Sequence, residues 1–266
     1  VIKDGVAVST LTIADRQFSH QAGTVKLLFA LSDGATIEAV LLRQGEHVTF
    51  CLSTQVGCAL GCAFCATGQA GFQRNLHPSE IVEQALHLCC EAALPPHITP
   101  NIVFMGMGEP FQNYDALIKS IHLLMHALGL HVGARKITVS TVGDVPGILR
   151  FAEEPWQVRL SVSLHGARDA LRDCLAPINK RYPLAKLHEA IRTYQNKRGR
   201  QITVEYTLLD AVNDSADQAI DLAEFLHGLD AMVNIIPWNP VEGLPFKPSA
   251  AQRVAAFVER LDVAGI

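Results

Sequence analysis

The chain has 266 residues, of which 49% are hydrophobic, and its 22 basic and 26 acidic side chains give a formal net charge of -4. A chain of this length can bury a full core without cross-links, which excludes a disulfide-rich secreted scaffold. The modest charge and the balanced composition also exclude a disordered or collagen-like chain.

The apolar runs, such as residues 40–42 and 98–107, are short and interrupted, and none approaches the roughly 18 residues needed to span a bilayer. Residues 1–10 lack the apolar core of an export signal. We therefore expect a cytoplasmic protein without a membrane segment. In that reducing compartment, clustered cysteines indicate metal or redox chemistry more often than disulfides. The chain has no initiator Met and ends soon after its last predicted helix, so we interpret it as a fragment.

The beginning of the chain is rich in β-forming residues. Segments 24–31 and 36–42 are predicted strands, and Ser32-Asp33-Gly34 supplies the turn between them. We expect residues 1–46 to form a small N-terminal β-extension and residues 47–266 to form the core domain.

Further along the chain, apolar strand patterns alternate regularly with helical patterns. The predicted strands are 48–53, 101–106, 136–140, 157–164, 201–208 and 232–237. The predicted helices are 79–92, 114–128, 145–153, 184–197, 217–227 and 250–263. Pro78-Ser79-Glu80 is expected to begin the first helix, and Ser249 is expected to be the N-cap of the last. Six βα units predict an α/β fold, a partial (β/α)6 TIM-like barrel, although an open doubly wound sheet has the same period.

In both folds the functional residues gather beyond the carboxyl ends of the strands. Cys58, Cys62 and Cys65 follow the first of these strands with C-x-x-x-C-x-x-C spacing. Thiolates so close in sequence can bind zinc or an iron-sulfur cluster. Zinc requires a fourth ligand, for which His77 is a candidate, whereas three thiolates on a four-iron cluster leave one iron open to a substrate or cofactor. The remaining interpretation is a set of core cysteines.

These three cysteines resemble the motif of radical S-adenosylmethionine enzymes. The wider segments 51–58 and 71–76 resemble the RlmN and Cfr family of adenosine RNA methyltransferases. The resemblance covers about residues 20–266. It implies the radical SAM partial barrel, a 4Fe-4S cluster on Cys58, Cys62 and Cys65, and S-adenosyl-L-methionine bound at the open iron. The resemblance also implies that reduction of the cofactor's sulfonium cleaves a carbon-sulfur bond and releases a 5'-deoxyadenosyl radical.

Four other segments of the resemblance lie at the end of a predicted strand or after one. The resemblance implies that all four contact the cofactor. Glycines allow a close backbone approach, and a glutamate can accept hydrogen bonds from an ammonium group. A lone histidine is more often structural. The implied contacts are Gly108 and Glu109 of G-M-G-E-P, Ser140 of S-T-x-G, Ser163, Leu164 and His165 of S-L-H, and Asn239.

Two residues concern the methyl transfer itself. Without the resemblance, Glu38 would be a solvated surface carboxylate and Cys51 a buried strand cysteine. The resemblance implies that Glu38 accepts the adenine ring proton and that Cys51 forms a transient disulfide with a methyl-carrying cysteine. The family's A-C-G-Q-L segment, which holds that cysteine, does not occur in this sequence, so we expect the carrier to lie beyond the end of the chain. Cys89, Cys90 and Cys174 match no motif and are expected to be core or surface thiols.

The implied function is methylation of an adenosine in 23S rRNA, tRNA or both, at carbon 2 of adenine in preference to carbon 8. Residues 180–200 hold seven basic side chains against one glutamate, a net charge of +6. This strip predicts contact with RNA phosphates, although a solvated helix face has the same composition.

We also expect a monomer that uses an electron donor such as flavodoxin. The alternatives are a radical SAM enzyme with a protein substrate and a noncatalytic, metal-stabilised RNA-binding module.

Overall fold

The computed structural model describes residues 10–19, 23–95 and 98–266. These residues form eleven strands and eight helices. They divide into two compact units, one containing the described residues up to 58 together with 72–139, the other containing residues 59–71 and 140–266.

The strands and helices follow one another along the chain in a mixed α/β order. The strands are β1 Thr12–Ser19, β2 Thr24–Ala30, β3 Thr36–Gln44, β4 His47–Cys51, β5 Gln55–Gly57, β6 Phe72–Asn75, β7 Asn101–Phe104, β8 Ile137–Thr141, β9 Arg159–Ser163, β10 Ile202–Leu208 and β11 Ala231–Pro237. The helices are α1 Ala66–Gln69, α2 Pro78–Ala92, α3 Tyr114–Met125, α4 Val145–Phe151, α5 Asp169–Leu175, α6 Leu184–Arg198, α7 Ala216–Leu226 and α8 Ala251–Val263.

The first unit is built on a sheet that changes from antiparallel to parallel. Strands β1 to β4 pair with their sequence neighbours antiparallel, and β4, β7 and β8 then pair parallel. Gly34 has a φ of +83° in the turn between β2 and β3, which confirms the predicted turn. Strand β1 was not predicted, because it is exposed along most of its length and its sequence lacks the alternation of a half-buried strand.

A second, two-stranded sheet pairs β5 with β6, on either side of the cysteine segment in the sequence. These strands have three and four residues. They are too short to produce a period in the sequence, and for that reason they were not predicted.

The second unit contains the parallel strands β9, β10 and β11. Behind them, the Tyr194 hydroxyl of α6 donates to the carbonyl of Val158 at 2.9 Å, and its ring stacks on Phe151 at 6.1 Å. Tyr206 of β10 packs against Phe257 of α8, with the two rings tilted by 36° and their centroids 5.3 Å apart. Aromatic side chains of α6 and α8 therefore contribute to the core of this unit.

The predicted βα alternation is confirmed, since all six predicted strands and all six predicted helices are present with small shifts of their ends. Helix α2 begins at Pro78 as expected, where His77 and Glu80 form a capping box. The prediction for Ser249 is wrong: the N-cap of α8 is Ala250, which makes no side-chain capping bond.

The β-extension up to residue 46 remains a prediction as a separate domain, and its residues 1–9 and 20–22 lie outside the described residues. No helix in the described ranges is long and apolar enough to cross a membrane.

Candidate active site

The cysteine loop lies between β5 and α1. Cys58 follows β5 directly, whereas Cys65 is the N-cap of α1 and donates its N–H to the carbonyl of Cys62 at 3.2 Å. Gly61 turns the chain with a φ of +62°. A Cβ on Gly68 would lie 3.0 Å from the backbone nitrogen of Cys62, so only glycine lets α1 fold back so closely.

In the second unit, two hydrogen bonds fix the middle of this loop. The N–H of Ala63 donates to the carbonyl of Leu175 at 2.9 Å, and the indole of Trp238 donates to the carbonyl of Phe64 at 3.1 Å. Cys62 packs against an apolar cluster that includes Val142. Segments that follow β8 and β11, together with the end of α5, therefore hold the loop.

His165 supports the same loop from the end of β9. Its φ is +58°, and its buried imidazole accepts a hydrogen bond at Nδ1 from the N–H of Thr207 at 3.0 Å. The ring meets the edge of Phe64 with centroids 4.6 Å apart. Burial, assisted by the positive charge of Arg172, lowers the pKa of His165 to about 3. The ring is therefore neutral at pH 7, with its proton on Nε2.

The other predicted residues of this unit lie at the same strand ends. The hydroxyls of Ser140 in β8 and Ser163 in β9 are 3.3 Å apart. Leu164 is buried in the apolar core, so only its main chain is suited to a polar contact. Asn239 is exposed and follows the buried Trp238. The structure thus brings Ser140 and Ser163 together, and their contact with a cofactor remains a prediction.

In the first unit, the G-M-G-E-P loop packs on the chain that follows β4. The carbonyl of Met107 accepts from the backbone N–H groups of Thr54 at 2.9 Å and Gln55 at 3.2 Å. A Cβ on Gly108, whose φ is +103°, would lie 2.6 Å from the Cβ of Gln55. The absence of a side chain at Gly108 therefore leaves room for Gln55 of the neighbouring strand, and the contact of Gly108 with a cofactor remains a prediction.

Glu109 is buried, with 3% of its surface exposed. Its N–H donates to Oε1 of Gln55 at 2.8 Å, and its carboxylate accepts from the N–H of Phe111 at 3.3 Å. The side chain therefore caps the 3-10 turn Pro110–Asn113 in addition to any ligand contact.

Ser53 connects this loop with the strand that carries Glu38. Its hydroxyl donates to the carbonyl of Glu38 at 2.5 Å and accepts from the N–H of Met107 at 2.8 Å. Its own N–H donates to Oε1 of Gln84 at 2.8 Å. Sequence reasoning missed Ser53, Gln55 and Gln84. The sequence signal for Ser53 and Gln55 was the run of polar residues at 53–55, directly after the apolar strand pattern.

The two residues predicted for methyl transfer occupy different surroundings. Glu38 lies on β3 with its side chain 41% exposed, and its carboxylate is 2.9 Å from the ammonium of Lys26. Cys51 ends β4, and burial raises the pKa of its thiol to about 12 against the opposing effect of a backbone hydrogen bond with Met105. Cys51 is therefore protonated at neutral pH.

His77, the candidate fourth zinc ligand, caps a helix instead. Its Nδ1 lies 2.7 Å from the hydroxyl of Ser79 and accepts from the backbone N–H of Ser79 at 3.3 Å. Across residues 10–19, 23–95 and 98–266, no three His, Cys, Asp or Glu side chains converge on a position for a single metal ion. A four-iron cluster does not require such convergence, because each thiolate binds a separate iron.

The residues present fit a cluster and its nucleoside ligand. The three thiols are soft ligands suited to iron-sulfur clusters, and the loop that carries them is fixed by backbone hydrogen bonds. Next to the G-M-G-E-P loop, the buried hydroxyl of Thr54 makes no hydrogen bond with any described residue. An unsatisfied buried hydroxyl is unfavourable, and a bound polar ligand would relieve it.

Comparison with known families identifies the class of this site. The radical SAM superfamily profile matches residues 52–223, a segment that includes all three cysteines of the loop. Enzymes of this superfamily use a 4Fe-4S cluster and S-adenosyl-L-methionine, which favours the iron-sulfur interpretation of the cysteines over zinc. The α/β fold is likewise that of a radical SAM enzyme.

The chain belongs to the RlmN family within this superfamily. It is 46% identical to "Dual-specificity RNA methyltransferase RlmN 1" of Myxococcus xanthus (strain DK1622), over 98% of this chain and 73% of that protein. It is 49% identical to "Probable dual-specificity RNA methyltransferase RlmN 3" of Opitutus terrae (strain DSM 11246 / JCM 15787 / PB90-1), over 90% of this chain and 68% of that protein. The crystal structure of a radical SAM methyltransferase from Sphaerobacter thermophilus superposes with a TM-score of 0.94 at 46% identity, covering 97% of this chain and 76% of that one.

Proposed function

We propose that this protein methylates an adenosine in RNA, at carbon 2 of adenine, by radical S-adenosylmethionine chemistry. The observation that carries the proposal is the identity of 46% over 98% of this chain with a relative named as a dual-specificity RNA methyltransferase. Carbon 2 of adenine is not nucleophilic, so a polar attack on the sulfonium methyl is unsuitable and a radical route is required. Cys58, Cys62 and Cys65 would hold the cluster, which when bound supplies the electron for cleavage of the cofactor.

The hydrogen bonds in the first unit support roles for Glu38 and Cys51 in methyl transfer. Through the hydroxyl of Ser53, the backbone of Glu38 is connected to Met107 of the G-M-G-E-P loop. Cys51 pairs with Val40 in the register of β3 and β4, two residues from Glu38. We assign to Glu38 the removal of the adenine ring proton and to Cys51 the disulfide that releases the product.

The remaining cofactor contacts are proposed from the same family match. Gly108 and Glu109 would bind the methionine end of the cofactor, and Asn239 would lie near its adenosine. Ser140, Ser163, Leu164 and His165 would be further cofactor contacts. We further propose 23S rRNA and tRNA as substrates, a flavodoxin as electron donor, and a monomer that works in the cytoplasm. The protein thus supplies binding, orientation and exclusion of water, while the cofactor supplies the radical.

The first experiment tests the cluster. We expect protein purified without oxygen to contain four irons. After reduction with dithionite it should give an EPR signal that changes when S-adenosylmethionine is added. Cys58→Ala should lose iron and signal. Cys174→Ala is the matched control, because Cys174 is an exposed thiol that should not affect either measurement. Stoichiometric zinc without iron would overturn the proposal in favour of a noncatalytic RNA-binding module.

A second experiment separates methyl transfer from radical formation. Glu38→Gln keeps the shape of the side chain but removes its basicity, so we expect at least about a hundredfold loss of RNA methylation. Cleavage of S-adenosylmethionine should continue. Glu46→Gln, at an exposed position near β3, is the control. Mass spectrometry of the RNA and chromatography of 5'-deoxyadenosine measure the two reactions. Methylation at the wild-type rate in Glu38→Gln would remove Glu38 from the mechanism.

A further inference from the structure

Arg172 of α5 is fully buried, although sequence analysis gave it no role. Its guanidinium donates to three main-chain carbonyls: Leu164 at 3.1 Å from Nε, and Val142 and Ser163 from the second terminal nitrogen, the latter at 3.5 Å. Val142 follows β8, whereas Ser163 and Leu164 lie at the end of β9. One cation therefore joins the ends of the two strands that carry Ser140 and Ser163.

The counter-charge of Arg172 is reached through Asn179. The carboxamide oxygen of Asn179 accepts from Arg172 at 3.0 Å. Its nitrogen donates to the carboxylates of Asp169 at 2.8 Å and Asp173 at 2.7 Å. No direct ion pair between Arg172 and a carboxylate occurs among the residues that the structure describes. Since Asn179 lies between them, the positive charge is only partly compensated at the guanidinium.

Arg172 also acts on the cysteine loop. Cys62 packs against Val142, Ala176 and Ile178. Val142 accepts from the guanidinium, and Ala176 donates its N–H to the carbonyl of Arg172 at 2.7 Å. Burial lowers the pKa of Arg172, and the electrostatic interaction with Cys62 opposes that shift. An arginine guanidinium remains protonated at pH 7.

We propose that Arg172 is a positioning residue that fixes the ends of β8 and β9 beneath the cysteine loop and that its buried charge raises the reduction potential of the cluster. This inference rests on the proposed function, because it requires the cluster on Cys58, Cys62 and Cys65. Reduction of the cluster from the 2+ to the 1+ state takes one electron from a low-potential donor and breaks no bond. It adds one negative charge to the site, and a fixed cation nearby stabilises that charge.

Potentiometric titration followed by EPR tests the proposal on the full-length holoenzyme, with dithionite as reductant. Arg172→Gln removes the charge, and we expect its midpoint potential to fall below that of the wild type. Arg172→Lys keeps the charge but loses the planar guanidinium group and its hydrogen-bond geometry, so the midpoint potential of this variant should stay close to the wild-type value. Arg168→Gln is the matched control: Arg168 precedes the same helix, but it is 67% exposed and pairs with Asp221.

Asp173→Asn provides a test that keeps Arg172 in place. The asparagine oxygen can still accept from Asn179, but one negative charge of the network is removed. We expect the potential to shift upward, opposite to the shift in Arg172→Gln.

The outcomes distinguish this inference from the proposed function. A wild-type protein with four irons and a normal reduced signal supports the proposed function whatever the variants show. An unchanged potential in Arg172→Gln, or in Asp173→Asn if Arg172→Gln fails to hold iron, would overturn the role of the charge. Equal downward shifts of the potential in Arg172→Gln and Arg172→Lys would also overturn it, because the hydrogen bonds of the guanidinium, and not its charge, would then set the potential.

Discussion

Burial shifts the pKa of individual side chains in this protein. Burial against Phe64 of the cysteine loop lowers the pKa of His165 far below the usual value for histidine, so its ring is neutral at pH 7. Desolvation likewise raises the pKa of the Cys51 thiol. By contrast Glu38, whose residue type is the same as that of the buried Glu109, remains 41% exposed and paired with Lys26. The roles that these residues can take follow from those environments.

At the residue scale, acid should destabilise the protein through His165. Its pKa is about 3 in the folded protein and about 6.5 when unfolded. The folded-state value is the lower one, so the stabilisation is present above pH 6.5 and is lost as the pH falls toward 3. We expect the wild type to lose about 2 kcal/mol more than His165→Asn between pH 7 and pH 5. Urea unfolding followed by circular dichroism measures this. Parallel loss in both proteins would contradict it.

At the scale of the secondary-structure elements, the N-termini of two helices look alike in sequence but differ in their hydrogen bonds. Helix α7 begins with a capping box, in which Ser215 accepts from the N–H of Gln218 and the Gln218 side chain binds the N–H of Ser215. Helix α8 has a serine, Ser249, one residue before its N-cap, so it looks similar in sequence. Its hydroxyl is buried and makes no hydrogen bond with the described residues.

These two serines therefore differ in their contribution to stability. Ser215→Ala should lower the free energy of unfolding by about 1 kcal/mol, because an N–H at the start of α7 loses its acceptor. Ser249→Ala should leave stability unchanged or raise it slightly, since an unpaired buried hydroxyl is removed. Thermal or urea unfolding of both variants compares them directly. If the two losses were equal, the difference between the two helix starts would have no energetic consequence.

At the scale of the whole molecule, charge is distributed unevenly. The chain carries a net charge of -4, yet residues 180–200 are strongly basic. Part of this strip is used within the protein: Lys197 pairs with Glu153, and Arg198 donates to the carbonyl of Glu154. Lys186 and Arg192 are exposed on α6. The number of cations available to RNA phosphates is therefore smaller than the sequence indicates.

We expect Lys186→Gln with Arg192→Gln to weaken RNA binding and to reduce its salt dependence by about one unit of slope for each phosphate that the variant no longer neutralises. Lys197→Gln is the control, because its charge is already paired with Glu153. Fluorescence anisotropy with an rRNA hairpin over a salt series gives both quantities. A double variant with the wild-type slope would show that this strip does not bind RNA.

The sequence by itself determined the order of strands and helices and the chemistry of the cysteine loop. Long apolar periods predicted six βα units, and the spacing of Cys58, Cys62 and Cys65 indicated a cluster, because both signals are local. It did not reveal β1, β5, β6, α1 or α5, which are exposed or too short to produce a period.

Only the tertiary structure decided which polar side chains support the site. Ser53 and Arg172 are ordinary residues in sequence, and their importance lies in partners many positions away: Glu38 and Met107 for Ser53, and the ends of β8 and β9 for Arg172. The same holds for Gly108, which accommodates Gln55. Hydrogen bonds and close packing between distant segments have no periodic pattern in a sequence, since they depend on how the strands are brought together.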